Sequence, residues 1–187
     1  VVLDMRNPFF TDLAHGAQQR ALAEGYSVLL GGSDESGESE SALLDQFEEH
    51  RVAGLLSSPL HTDLSRLYRL RESGTPVVLV DRGSLDKSFS SVSVDDLEGG
   101  RIAAQHLIDI GRKRIAFLGG PLDIEQVAQR LQGAQAAVSR HADVTLSVHP
   151  TQALSVVEGR RVAAGLAALP AAERPAAVFA AHDLLAM

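Results

Sequence analysis

The chain has 187 residues, of which 45% are hydrophobic and 22% are charged, and its formal net charge is -7. This composition is typical of a soluble globular protein that buries one sizeable core or two small ones. The acidic balance argues against phosphate-backbone binding by this segment, and the absence of cysteine excludes disulfides, thiolate catalysis and cysteine-bound metal. No apolar run approaches the roughly 20 residues of a membrane-spanning helix, so no membrane partner is predicted.

The first half of the chain alternates between helical and strand patterns. Asn7 predicts an N-cap and Pro8 predicts the first position of a helix, whose apolar residues recur at helical spacing as far as Gly25. The other elements predicted for this half are a strand over 26–30, a polar loop over 31–41, a helix over 42–50, a strand over 52–56, a helix capped by Thr62 and closed by Gly74, and a strand over 77–80.

The second half continues the alternation. Its predicted elements are a short strand over 92–94, a helix that ends at Gly111, strands over 115–118, 144–148 and 177–180, and helices over 124–140 and 156–169. Strands that alternate with helices, several of them continuous Val, Ile and Leu runs, predict a doubly wound α/β fold with a parallel sheet covered on both faces. One strand-helix series before residue 96 and another after it suggest two similar lobes joined by a crossover over 95–100.

The motifs of common enzyme classes are absent from the sequence. It contains no G-x-S-x-G nucleophile elbow, no H-E-x-x-H zinc motif and no phosphate-binding G-x-x-x-x-G-K-[ST] loop, and its seven histidines show no metal-binding spacing. Gly119-Gly120-Pro121 lacks the spacing of a dinucleotide site and is assigned a turn. We therefore predict that the protein is not an enzyme and has no catalytic residue, metal or cofactor.

Five short motifs stand where a predicted strand gives way to a loop or helix, and the carboxyl ends of parallel strands are where α/β proteins bind ligands. The motifs are Asn7-Pro8-Phe9-Phe10, Asp81-Arg82, Asp95-Asp96, Arg130-Leu131-Gln132-Gly133 and Ala181-His182-Asp183. In this order they resemble the effector-binding domain of the lactose-repressor (LacI/GalR) family of bacterial transcription regulators. The resemblance covers essentially the whole chain.

The resemblance implies a periplasmic-binding-protein-like type I architecture of two doubly wound parallel-sheet lobes. Residues 1–96 would form the N-terminal lobe and residues 97–187 an incomplete C-terminal lobe, since the chain reads as cut within a strand at its start and within a helix at its end. A helix-turn-helix headpiece absent from this chain would bind operator DNA as a homodimer in the cytoplasm. A small effector would bind between the lobes and alter operator affinity.

The first group of candidate effector-binding residues follows two strands of the N-terminal lobe. The resemblance places Phe9 and Phe10 at the effector cleft, where an aromatic ring packs against a sugar or base, although Phe10 also fits the buried stripe of its helix. Asp81 and Arg82 are similar to the Asp-Arg pair of sugar-responsive members, and their carboxylate and guanidinium suit vicinal hydroxyls. The alternative for this pair is an intramolecular ion pair at a strand end.

The second group lies in the C-terminal lobe. Arg130 matches the family's Arg-x-x-Gly, whose arginine donates to ligand oxygens; the alternative is a surface arginine, and Arg130→Ala is predicted to abolish effector binding while leaving the fold intact. His182 stands where the family usually carries asparagine, which changes the donors and acceptors offered there, and a helix cap or a loop role is the alternative to an effector contact. Asp183 either contacts the effector or caps the final helix.

Asp95 and Asp96 stand where the family commonly has Asp-Asn before a glycine, here Gly99. Capping of the next helix and a role in the hinge or cleft are both open.

The function predicted is effector sensing by a transcription regulator, with an exported sugar-binding protein of a transport system as the first alternative and a small α/β enzyme as the second. The polar candidates and the absence of tryptophan favour a sugar or polyol over a purine as the effector.

Overall fold

The computed structural model describes residues 2–3, 8–32, 36–59, 63–83 and 88–187. The predicted helix caps Asn7 and Thr62 lie outside these residues. The chain divides into two compact units, Val1–Val94 and Asp95–Met187. Within the described ranges, every helix is too short or too polar to cross a bilayer.

The described residues of the first unit form a parallel sheet with helices between its strands. The strands pair in the order β2-β1-β3-β4-β5, which is a doubly wound order whose direction switches between β1 and β3. The elements in chain order are β1 (Val2–Leu3), α1 (Pro8–Ala23), β2 (Gly31–Gly32), α2 (Gly37–Glu49), β3 (Leu55–Ser57), α3 (Ser65–Glu72), β4 (Val77–Val80) and β5 (Ser90–Val92).

Helices cover both faces of this first sheet. Neighbouring residues of a strand point to opposite faces, and Leu79 and Val80 of β4 accordingly join different apolar clusters. Val80 packs with Phe10 and Ala14 of α1, whereas Leu79 belongs to a larger cluster. That larger cluster comprises Leu44 and Phe47 of α2, Leu67 and Leu70 of α3, and Leu55, Val77, Leu79 and Phe89.

The second unit has the same arrangement as the first three strands of the first unit. Its strands are parallel and pair in the order β7-β6-β8, so that the first strand of the unit lies between the second and the third, as in the first sheet. The elements are α4 (Asp96–Asp109), β6 (Arg114–Leu118), α5 (Glu125–Val138), β7 (Thr145–His149), α6 (Val156–Ala168), β8 (Ala177–Ala180) and α7 (Asp183–Ala186). The predicted α/β class with parallel sheets is confirmed.

The second sheet is also covered on both faces. Phe117 of β6 packs with Val127 and Leu131 of α5, while its neighbour Leu118 packs with Leu166 of α6. Residues 115–118 of β6 are all buried, which explains why this part of the strand is a continuous apolar run without alternation.

Two helices of the second unit approach each other more closely than ordinary side chains allow. A Cβ added at Gly100 of α4 would lie 2.7 Å from the carbonyl carbon of Arg130, and one added at Gly133 of α5 would lie 2.7 Å from the amide nitrogen of Arg101. Ala104 and Ala134, both fully buried, continue this contact. Small residues therefore let the backbones of α4 and α5 touch.

Several predicted boundaries are confirmed and others are shifted. The helices predicted to close at Gly25, Gly74 and Gly111 do so, with left-handed φ angles of 80°, 98° and 82°. The strand predicted over 26–30 is wrong: these residues join no ladder, and Gly31–Gly32 pair with β1 instead.

The loop predicted over 31–41 is also wrong in its second half, where α2 already begins at Gly37. The Ser36 hydroxyl accepts a hydrogen bond from the Ser39 amide (3.3 Å), and Glu38 and Glu40 stand in the first turn, where carboxylates favour a helix N-terminus. The last strand of the first sheet lies at 90–92, two residues before the predicted 92–94.

Candidate functional site

The aromatic pair at the start of α1 divides into an exposed and a buried ring. Phe9 is 43% exposed and Phe10 is 7% exposed, and their rings meet edge to face with centroids 5.2 Å apart. Phe10 belongs to the apolar cluster between α1 and the sheet. Of the two rings, Phe9 is therefore the one whose surface is available to a ligand.

Asp81 and Arg82 leave the end of β4 with an unusual backbone. Asp81 has a φ of 59°, in the left-handed region that non-glycine residues seldom adopt and that Asp tolerates better than most. Its amide donates to the Val92 carbonyl (2.8 Å), which ties the end of β4 to the end of β5. Both side chains are half-buried at the carboxyl edge of the sheet. Backbone strain of this kind is concentrated at functional sites.

An arginine of α3 holds the segment that leads into β5. The Arg71 guanidinium lies 4.9 Å from the ring centre of Phe89 and 5.2 Å from that of Tyr68, and it donates to the Ser88 carbonyl. The Tyr68 hydroxyl and the Ser88 hydroxyl are hydrogen-bonded at 2.5 Å. Sequence reasoning missed this cluster because its two halves are 17 or more residues apart and no short motif joins them.

Arg130, the strongest candidate of the second unit, is bound within that unit. Its Nε and Nη2 lie 2.8 and 2.7 Å from the same carboxylate oxygen, Oδ1 of Asp96, and its Nη1 donates to the Ala181 carbonyl (2.5 Å). The Asp96 side chain is 5% exposed and that of Arg130 is 28% exposed. The arginine thereby joins the start of α4, the second turn of α5 and the end of β8.

The two aspartates at the start of α4 have different roles. Asp95 is the N-cap, and its Oδ1 accepts from the Glu98 amide (2.9 Å), which confirms the capping prediction for this residue. Asp96 is the first helical residue and is the partner of Arg130. One turn on, hydrogen bonds from Arg101 to both carboxylate oxygens of Glu98 hold the pKa of Glu98 below its ordinary value.

His182 performs the role that was considered for Asp183. The half-buried imidazole caps α7, because its Nδ1 accepts from the Leu184 amide (3.1 Å). The capping alternative for Asp183 is therefore wrong: Asp183 is the first helical residue and its side chain is exposed. Because Nδ1 is an acceptor here, the neutral ring carries its proton on Nε2.

The two glycines after β6, where a turn was predicted, allow close contacts with neighbouring segments. A Cβ at Gly119 would lie 2.5 Å from the Ala181 Cβ, and one at Gly120 would lie 2.8 Å from the Thr151 amide nitrogen. The buried Thr151 hydroxyl donates to the Gly120 carbonyl (2.9 Å). The two glycines thus bring together the carboxyl ends of all three strands of the second sheet.

Metal binding finds no support in the described part of the chain, where no group of three or more His, Asp or Glu side chains is arranged to hold an ion. The polar groups gathered at the strand ends are instead hydrogen-bond donors and acceptors with fixed positions. Parallel α/β units with such groups at the carboxyl ends of their strands define a class of small-molecule-binding domains.

The chain belongs to the family described as periplasmic binding proteins and sugar binding domain of the LacI family, whose sequence profile matches residues 1–187. The predicted family resemblance is therefore confirmed.

Two curated relatives and one solved structure illustrate the similarity. The ribose operon repressor of Bacillus subtilis (strain 168) is 33% identical over 184 residues, 98% of this chain and 54% of the repressor. The HTH-type transcriptional repressor PurR of Aliivibrio fischeri (strain MJ11) is 29% identical over 188 residues, 97% of this chain and 54% of that protein. The Cra transcriptional dual regulator of Pseudomonas putida, in complex with fructose 1-phosphate, has a TM-score of 0.87 and 26% identity over 99% of this chain and 68% of that one. The chain thus spans about half the length of these curated relatives.

Proposed function

We propose that this chain is the ligand-sensing domain of a bacterial one-component transcription regulator that is not an enzyme. The observation that carries the proposal is the clustering of Arg130, Asp96 and His182 around the switch point of the second sheet, in a chain of the sugar-binding LacI family. The curated relatives described above are both named repressors, and one is named after the ribose operon.

The proposed effector is a sugar or polyol, and each unit by itself offers groups that suit such a ligand at the carboxyl edge of its own sheet. The Asp81 carboxylate accepts hydrogen bonds from neighbouring hydroxyls and the Arg82 guanidinium donates several in a fixed fork. The exposed ring of Phe9 offers an apolar surface to the C–H face of a sugar ring. In the second unit, Arg130 and His182 supply further donors.

The regulator proposed here is a cytoplasmic homodimer in which each protomer carries a helix-turn-helix headpiece outside this chain. The HTH-type relative, of which the chain spans 54%, supports a headpiece of this kind. Two headpieces on a two-fold axis match a palindromic operator. The effector alters operator affinity only to the extent that it binds one conformation of the domain better than the other.

The experiment that tests this function uses the full-length protein that contains the chain. Its binding to DNA from the region upstream of its own gene is followed by fluorescence anisotropy while neutral pentoses and hexoses are added. We expect DNA binding with a dissociation constant that one sugar changes about tenfold or more. A protein that binds a sugar but no DNA would instead be the exported binding protein of a transport system.

A matched pair of variants tests the predicted site on the first sheet. Arg82→Ala removes a donor at the carboxyl end of β4 and is expected to weaken sugar binding about tenfold or more. Arg69→Ala removes an exposed arginine of α3 in the same unit and is expected to leave sugar affinity unchanged. Equal affinities for the two variants would remove Arg82 from the site.

A further inference from the structure

The positive charge of Arg130 is neutralised inside its own unit. Its Nε and Nη2 share Oδ1 of Asp96, a carboxylate that is only 5% exposed, and Nη1 is held by the Ala181 carbonyl. A guanidinium has five N–H groups, so hydrogens remain on Nη1 and Nη2 for a ligand. Arg130 can therefore donate hydrogen bonds to a ligand, but it brings no uncompensated charge.

The residue at position 96 decides whether Arg130 presents an uncompensated positive charge to a ligand. An asparagine at position 96 would offer an amide oxygen that accepts the same hydrogen bonds without carrying a charge. With asparagine, the guanidinium would remain cationic toward a ligand. With aspartate, the ion pair is neutral as a whole.

The surrounding edge adds negative charge. The loops after the strands of the second sheet, the first two turns of the helices that follow them, and the N-cap and first two turns of α4 together hold seven carboxylates and four guanidinium groups, a formal charge of -3. Three of those guanidinium groups are paired, by Arg130–Asp96, Arg101–Glu98 and Arg161–Glu158. An anionic ligand would meet net repulsion at this edge.

We propose that Asp96 is a specificity-determining residue that makes the site select uncharged sugars or polyols and reject their phosphate monoesters. The inference rests on the proposed function and deepens it. Binding of a sugar phosphate is the alternative, and it occurs among similar structures: the Pseudomonas putida regulator was solved with fructose 1-phosphate. Rejection by like charge is a general means of discriminating between ligands that share most of their atoms.

The test compares matched neutral and phosphorylated ligands on the full-length protein at constant ionic strength. Binding of ribose, ribose 5-phosphate, fructose, fructose 1-phosphate and inorganic phosphate is measured by isothermal titration, with ³¹P line broadening for weak phosphate binding. The variants are Asp96→Asn, which removes the charge beside Arg130, and Asp123→Asn, which removes an exposed charge at the same edge without touching Arg130. Asp96→Asn/Arg130→Gln tests whether any gain depends on the arginine.

We expect the wild type to bind phosphate and both phosphate esters negligibly, and Asp96→Asn to gain at least about tenfold in phosphate affinity. Asp123→Asn should gain less than about twofold, because an exposed charge is screened by solvent and salt, and the double variant should lose the gain. Wild-type protein that binds phosphate or a phosphate ester as tightly as Asp96→Asn would overturn the inference.

Failure of the inference is distinguishable from failure of the proposed function. The inference is judged on inorganic phosphate, whereas the function is judged on whether any neutral sugar binds the wild type. If Asp96→Asn does not fold, Asp96→Ser makes the same charge change with a smaller side chain. Phosphate binding to the wild type tests the inference without any variant. Folded Asp96→Asn or Asp96→Ser without any gain in phosphate affinity would also contradict the role assigned to Asp96.

Discussion

Gly133 of α5 lies against the backbone of Leu97 in α4, with no room for a side chain between them. A Cβ at Gly133 would overlap the Leu97 carbonyl oxygen and lie 3.0 Å from its carbon. This approach is what brings Asp96, the residue before Leu97, within hydrogen-bond distance of Arg130, three residues before Gly133. The glycine of the Arg-x-x-Gly motif thus positions the arginine's partner.

Gly133→Ala is predicted to destabilise the protein by about 1–3 kcal/mol, because the added methyl group forces the two helices apart. Gly99→Ala is the control: Gly99 lies in α4 next to the other contact glycine, but nothing lies within 4 Å of its added Cβ. That change should raise stability by up to about 1 kcal/mol, since alanine favours a helix over glycine. Urea unfolding at 25 °C measures both, and equal stabilities would disprove the close-packing account.

Arg130→Ala is predicted to cost about 2–3 kcal/mol of stability, because it leaves the buried Asp96 carboxylate without its charged partner. The ion pair therefore revises the sequence-based expectation that this variant would leave the fold intact. Asp96→Ala/Arg130→Ala should recover part of the loss, because no buried charge then remains. Urea unfolding of the two single variants and the double variant gives the coupling energy, and strictly additive losses would argue against the pair.

Stability is predicted to fall below pH 5 in part through Glu158. Hydrogen bonds from Arg161, and then from the Gln152 amide, lower the pKa of Glu158 from 4.5 to about 2. Because the folded-state pKa is depressed, the stabilisation is present above pH 4.5 and is lost as the pH falls toward 2.

The difference in unfolding free energy between wild type and Glu158→Gln should therefore be largest near neutral pH and shrink between pH 4.5 and 2. Glu173→Gln is the control, since the Glu173 side chain makes no hydrogen bond or ion pair with another described residue. A pH-independent difference for Glu158→Gln would contradict the assignment.

His182→Ala is predicted to destabilise α7 by about 1 kcal/mol, because the Leu184 amide loses its cap. His182→Asn should retain most of that stability, since asparagine is a strong N-cap. Hydrogen exchange at the Leu184 amide reports the cap directly. Protection that is unchanged in His182→Ala would show that the imidazole is not the cap.

The sequence was sufficient to predict the elements whose ends are determined by neighbouring residues. The strands at 77–80 and 177–180 were predicted at the positions where β4 and β8 lie, because each is an apolar run with clear boundaries. Asp95 was recognisable as a cap because capping depends on residues only three positions apart.

Features that depend on distant partners were not predictable. Residues 26–30 have a strand-like composition, but the ladder to β1 forms at Gly31 and Gly32, and a sequence pattern does not reveal which residues find the partner strand. Likewise, Asp96 and Arg130 are 34 positions apart, and only the close packing of α4 and α5 joins them. For His182 the sequence left a ligand contact, a cap and a loop role open, because an imidazole nitrogen is an uncommon cap acceptor and only the structure shows it accepting from the Leu184 amide.

The most direct test of the central claim is isothermal titration of the full-length protein with a panel of neutral monosaccharides and polyols. The account predicts saturable binding of at least one of them, with one ligand per protomer, and a loss of about tenfold or more in affinity for Arg82→Ala but not for Arg69→Ala. A folded protein that binds none of these ligands, or binds them equally well without Arg82, would contradict it.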